Sequence, residues 1–143
     1  MRILYRIGLI IVGLALGLGS SVATAEVVAI VSAKNPVTAL SNNLVVDIFL
    51  GKANRFPDGS HAAPIDQVEG SAARNEFYLK FANKAPAQIK AHWSKIIFTG
   101  RGQPPREVSN SAEVKKLVAD NPNVIGYIDS GMVDDTVRAL LTH

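Results

Sequence analysis

Val27-Val28-Ala29-Ile30-Val31 is a run of five apolar residues, four of them β-branched. A strand sends alternate side chains to opposite faces of a sheet, so a run with no polar position must be covered on both. Val124-Ile125-Gly126-Tyr127-Ile128 repeats the pattern near the other end of the chain. Two such runs require a sheet with a covering layer on each side, and the first suits a strand of a parallel sheet. The covering layers are legible between them. Ser41 caps a short helix with Leu44, Ile48 and Phe49 on one face, ending at Gly51. Gly70-Ser71 opens a helix carrying Phe77, Tyr78 and Phe81 on one side, and Pro86 starts another with Ile89, Trp93, Ile96 and Ile97 at helical spacing. Asn110 or Ser111 caps a helix with Val114, Leu117 and Val118 inward, and Asn110 with Glu113 has the spacing of a capping box. Asn121-Pro122 ends it. Ala63-Pro64-Ile65-Asp66-Gln67 is a weaker strand, placed at a strand start or edge by Pro64. Thr99 to Pro105 reads as a loop, and Thr136 to Leu141 as a closing strand, although both periods fit it. Strands alternating with helices make an α/β sandwich, with Phe77, Phe81 and Trp93 read as core.

Residues 1–25 are of a different kind. Arg2 and Arg6 precede an apolar run from Ile7 to Leu18, and small residues follow as far as Ala23-Thr24-Ala25. This is the pattern of a cleaved secretory signal, and a run of about 12 residues is short of the ~20 that span a bilayer. Cleavage after Ala25 is expected, giving a domain of residues 26–143 that is soluble in the periplasm. The chain has no cysteine, so it has neither disulfides nor a lipid-acceptor thiol. Removing Arg2 and Arg6 from the 15 Lys and Arg leaves 13 against 12 Asp and Glu. So even a balance offers no electrostatic case for nucleic acid.

Val68-Glu69-Gly70-Ser71-Ala72-Ala73-Arg74 carries the most chemistry. A strand enters a small-residue turn and a helix begins there. The first N–H groups of that helix have no internal acceptors, and the helix dipole favours an anion beside them. Gly70 and Ala72 admit close approach, Ala73 continues the turn, Ser71 adds a hydroxyl and Arg74 a fork of charged donors. The plain structural alternative makes Ser71 a helix cap and Arg74 a solvated side chain. Thr99-Gly100-Arg101-Gly102, extended by Arg106, is a second candidate cradle, with a solvated helix-exit loop as its alternative. His61, His92 and His143 lack metal-ligand spacing, Asp134-Asp135 is an adjacent pair that faces two ways, and no nucleophile elbow is present. Asp66 and Glu69 lie near the turn as groups that either accept a proton from a ligand or repel it. The chain is therefore read as non-catalytic, with no cofactor and no metal.

The order of these segments resembles the phosphate-type periplasmic substrate-binding proteins of ABC importers. Val27–Val31 through Asn35-Pro36 is similar to their crossover strand, and Asp47-Ile48-Phe49-Leu50-Gly51-Lys52 to their Asp-Ile-Phe-x-Gly-Lys segment. Ile65 to Phe77 resembles their strand, anion-binding turn and helix, and Asn121-Pro122-Asn123-Val124-Ile125-Gly126-Tyr127 their return strand. The resemblance implies one lobe of a type 2 periplasmic-binding-protein fold, a mixed sheet flanked by helices. It also implies phosphate or a similar oxyanion as ligand and an ABC permease as partner. Gly70 and Ser71 carry over as ligand residues. Three departures bear on the site. The family's Ser-Gly-Thr turn reads Ser71-Ala72-Ala73, the arginine of the preceding strand is replaced around Asp66 and Gln67, and Glu26 falls where the family's second lobe begins. A homodimer that completes the cleft is one expectation. The alternative is a periplasmic interaction or sensory module that kept the fold, gave up tight anion binding and contacts an inner-membrane protein.

Overall fold

In a computed structural model of the chain, residues 26–143 are described. The signal segment expected over residues 1–25 lies outside the described residues. β1 (Val27–Ser32) and β5 (Val124–Asp129) are the two apolar runs, and they pair with each other, Val27 opposite Asp129 and Val31 opposite Ile125. With β3 (Ala63–Gln67), β4 (Arg106–Val108) and β6 (Val137–Ala139) they form one sheet in the order β4-β3-β5-β1-β6. β1 runs antiparallel to both neighbours, whereas β3 is parallel to β4 and β5. The sheet is therefore mixed, as the resemblance implies, but β1 itself does not have the parallel setting expected for the first run. Burial on both faces fixes the composition of a strand but not the direction of its neighbours. β2 (Ala39–Leu40) and β7 (Leu141–Thr142) make a separate parallel pair.

The two faces have separate cores. Val27, Ala29 and Val31 of β1 and Ile125 and Tyr127 of β5 pack under α1 (Asn42–Phe49), α2 (Ala72–Ala82) and α3 (Pro86–Phe98). Phe77 of α2 stacks on Tyr127 at 4.0 Å between ring centres and meets Phe49 edge-on at 4.7 Å. Ile30 and Ile128 point to the opposite face, where Val114 and Val118 of α4 (Ser111–Asp120) cover them. A Cβ on Gly126 would lie 2.4 Å from Val114 Cγ1, so only glycine lets α4 sit this close to β5.

Helix starts fall where their caps stand. The side chains of Ser41, Ser71 and Asn110 accept from the backbone N–H groups of Leu44, Arg74 and Glu113. The return bond of the last cap differs from the capping-box expectation, because Glu113 Oε2 accepts from Ser109 N rather than from Asn110. The helix faces need three corrections. Val45, rather than Leu44, joins Ile48 and Phe49 as a buried residue of α1, and Leu117 of α4 is only half-buried. In α3, Ile89 and Trp93 are buried, but Ile97 is 54 % exposed and Phe98 92 %. Arg106, expected in a loop, opens strand β4 and pairs with Ile65. The closing segment is strand, as expected, divided between β6 and β7.

Candidate functional site

β3 and β5 are parallel neighbours, so their carboxyl ends, Gln67 and Asp129, lie at the same edge of the sheet. α2 follows β3 on one face, and α4 precedes β5 on the other. Both helices thus begin at that edge, where the ligands of open α/β sheets bind. A depression of ≈ 350 Å3 opens there, lined among others by Gln67, Ser71, Ala73, Ser111, Ala112 and Asp129. Within α2 the Ser71 hydroxyl takes the N–H of Arg74 and the Ser71 carbonyl that of Asn75, which leaves the N–H groups of Ala72 and Ala73 without helical acceptors. At α4, Asn110 takes those of Glu113 and Val114 in the same way and leaves Ser111 and Ala112. Gly70 holds the turn before α2 at φ +89°, a conformation that a Cβ would strain.

Buried polar side chains join the two helix ends. Gln67, 2 % exposed, donates from Nε2 to Ser111 Oγ at 3.1 Å and to the Tyr127 carbonyl at 3.1 Å, while its Oε1 accepts from Ser71 Oγ at 3.3 Å. Asp66, 1 % exposed, accepts from Tyr78 Oη at 2.5 Å, from Tyr127 Oη and from Gln67 N at 2.8 Å. Burial raises the Asp66 carboxyl above its ordinary value, against the pull of the two tyrosines and Arg74. Both tyrosine hydroxyls are raised too, by burial and then by the neighbouring Asp66 charge. Asp66 therefore serves as a buried acceptor that ties β3 to α2 and β5, and it does not line the depression.

The residues singled out in the sequence separate into three places. Ser71 and Ala73 line the depression, with Gly70 and exposed Ala72 in the same turn. Arg74 turns away from it: its Nη1 donates to the Gln67 carbonyl at 2.9 Å and pairs with Glu107 at 2.8 Å. Burial works against the Arg74 charge, but Asp66 and Glu107 outweigh it and hold the guanidinium above its ordinary value. Arg74 and Glu69 line another cavity, of ≈ 180 Å3, between α2 and α3. Arg101 lies in a third place, beside Lys52, His92 and Lys95. Asp129 closes the depression from the end of β5, and Ser111 and Ala112 from the start of α4, positions that the sequence does not single out. The signal available for Ser111 and Ala112 is the cap at Asn110, which marks a second helix start but not its position beside the first. Among the described residues no group of three or more His, Asp or Glu is placed to hold a metal, and no helix is long and apolar enough to cross a membrane.

No family model and no curated protein matches the chain. Solved structures do. A Clostridium perfringens protein assigned as a phosphate ABC transporter substrate-binding protein, with bound phosphate, is similar at a TM-score of 0.66 and 25 % identity, over 82 % of this chain and 44 % of that one. An ABC-type phosphate transport receptor from Vibrio cholerae is similar at 0.64 and 20 % identity, over 82 % and 46 %. PstS from Borrelia burgdorferi is similar at 0.57 and 17 % identity, over 82 % and 47 %. The chain spans less than half the length of each of these proteins. It has the fold of one lobe of the phosphate-type ABC transporter substrate-binding proteins.

Proposed function

We propose that the chain is exported, processed after Ala25, and binds phosphate or a similar tetrahedral oxyanion at the start of α2, in the service of an ABC permease. One observation carries this reading: in a fold shared with phosphate-binding proteins, the turn that holds the free N–H groups of Ala72 and Ala73 meets, through Ser71 and Ala73, a depression at the carboxyl ends of two parallel strands. Helix-end donors act on an anion without a charged side chain, which suits a turn whose arginine is engaged elsewhere. Asp129 lines the same depression. A carboxylate there accepts the proton of monohydrogen phosphate and repels sulfate, which at neutral pH has no proton to offer. Calorimetric titration of residues 26–143, which hold every described element, tests the reading at low salt. Saturable heat with phosphate and none with sulfate is expected, and heat no different from dilution with both anions overturns it.

The commitment of Arg74 to Glu107 and Gln67 favours a second reading, an interaction or sensory module of the periplasm without tight anion binding. Capture of an inner-membrane protein by the purified domain, unaffected by phosphate, is its expected signature. A second copy of the chain closing over the depression would instead show as phosphate affinity that rises with protein concentration.

A further inference from the structure

The hydroxyl of Ser71 is not free to meet an anion. It accepts from Arg74 N, and the neighbouring Gln67 Oε1 accepts only, so the Ser71 proton goes to Gln67. The orientation of the Gln67 amide is set by the Tyr127 carbonyl, an acceptor that must face Nε2. The same amide then decides the state of Ser111. Gln67 Nε2 can only donate, so Ser111 Oγ accepts from it at 3.1 Å, and it accepts again from the backbone N–H of Asp129 at 3.4 Å. A hydroxyl has two lone pairs and one proton. Both lone pairs of Ser111 are taken, and its proton has no acceptor among the described residues. Ser111 is 6 % exposed, and what it faces is the depression.

We infer that Ser111, together with the first N–H groups of α4, forms the second side of the oxyanion site, so that the ligand is held between two helix starts on opposite faces of the sheet. This deepens the proposed function and rests on it. Ser111 supplies a hydroxyl donor, and the N–H groups of Ser111 and Ala112 supply the positive end of the α4 dipole. Gln67 acts through Ser111 and Ser71, as a positioning residue that fixes both hydroxyls. The ligand class is a small tetrahedral oxyanion, whose oxygens can point to two sets of donors at once.

The unmutated domain provides the first test, by following backbone amide resonances during titration with inorganic phosphate. The amides of Ala72, Ala73, Ser111 and Ala112 are expected to move together on one binding curve. Movement confined to Ala72 and Ala73 overturns the α4 side and leaves the α2 reading standing. If none of the four moves while phosphate binds elsewhere or not at all, both fall. Variants supply the second test. Ser111→Ala is expected to weaken phosphate about tenfold or more, the effect of one hydrogen bond to a charged partner. Ser111→Thr, which keeps the hydroxyl, restores most of that affinity. A merely structural Ser111 would lower the melting temperature in Ser111→Ala without changing phosphate affinity, and that result overturns the inference.

Discussion

Asp66 holds a carboxylate where almost no water reaches it, with two tyrosine hydroxyls and one backbone N–H as partners. Desolvation is the largest influence on it, and its pKa lies above the ordinary 3.8. The sign for stability follows. Between 3.8 and the raised value the folded chain binds more protons than the unfolded one, so the Asp66 contribution falls as pH rises through that window. Exposed Asp134, held down to about 2 by Thr136 and Lys115, works the other way: its contribution is present above 3.8 and is lost as pH falls towards about 2. A comparison with Asp66→Asn isolates the buried group. The stability of the native chain relative to Asp66→Asn is expected to be greatest below pH 3.8 and to shrink as pH rises above it in thermal melts. A difference that is flat or grows with pH defeats this account. Asp66 also shows where residue-level reading stops. Its place beside the turn was legible, but its role was not, because its partners Tyr78 and Tyr127 are distant in sequence and meet it only across the core.

Elements were legible to the extent that local chemistry defines them. Caps at Ser41, Ser71 and Asn110 mark helix starts because a side-chain oxygen within three residues decides the matter. Strand direction is set by connections that no local pattern encodes, and so the antiparallel pairing of β1 departs from expectation. α3 shows a second limit. Its apolar period runs on to Ile97, but burial there ends with Trp93 and half-buried Ile96. Periodicity reports which face is apolar and not how much of its length is covered. The contact between α4 and β5 leaves no room for a side chain at Gly126. Gly126→Ala places a methyl 2.4 Å from Val114 Cγ1 and 3.1 Å from Val118 Cγ2, both fully buried. The expected loss is about 1–3 kcal/mol, as for other overpacked cores, read from the urea midpoint. Gly131→Ala, with no atom within 4 Å of the new methyl, is the matched control and is expected to change little. Equal midpoints for the two variants would mean that α4 yields freely, and that its N-terminus is not held rigidly at the site.

On the scale of the whole molecule, the polar connection through Gln67 matters because it crosses from one core to the other. Ser71 belongs to the helix layer over Phe77 and Trp93, Ser111 to the layer over Ile30 and Ile128, and Gln67 at the end of β3 bonds to both. An anion held between the two helix starts would add a second tie at the same edge of the sheet. Ligand that binds only the folded state raises its stability by mass action, by about 2.7 kcal/mol at a hundred times Kd. For a domain of this size that corresponds to roughly 10 °C in melting temperature. The chain has a single tryptophan, Trp93, in the core beneath α3, so its fluorescence follows one layer while far-ultraviolet dichroism follows the helices of both. The two transitions are expected to coincide without phosphate and to move upward together when it is added, with sulfate at equal ionic strength producing no such shift. A dichroism transition that separates from the tryptophan one as phosphate is added would mean that the ligand stabilises one layer alone. A site bounded by both α2 and α4 forbids that outcome, because release of either helix start removes donors from the anion and returns its binding energy to the other.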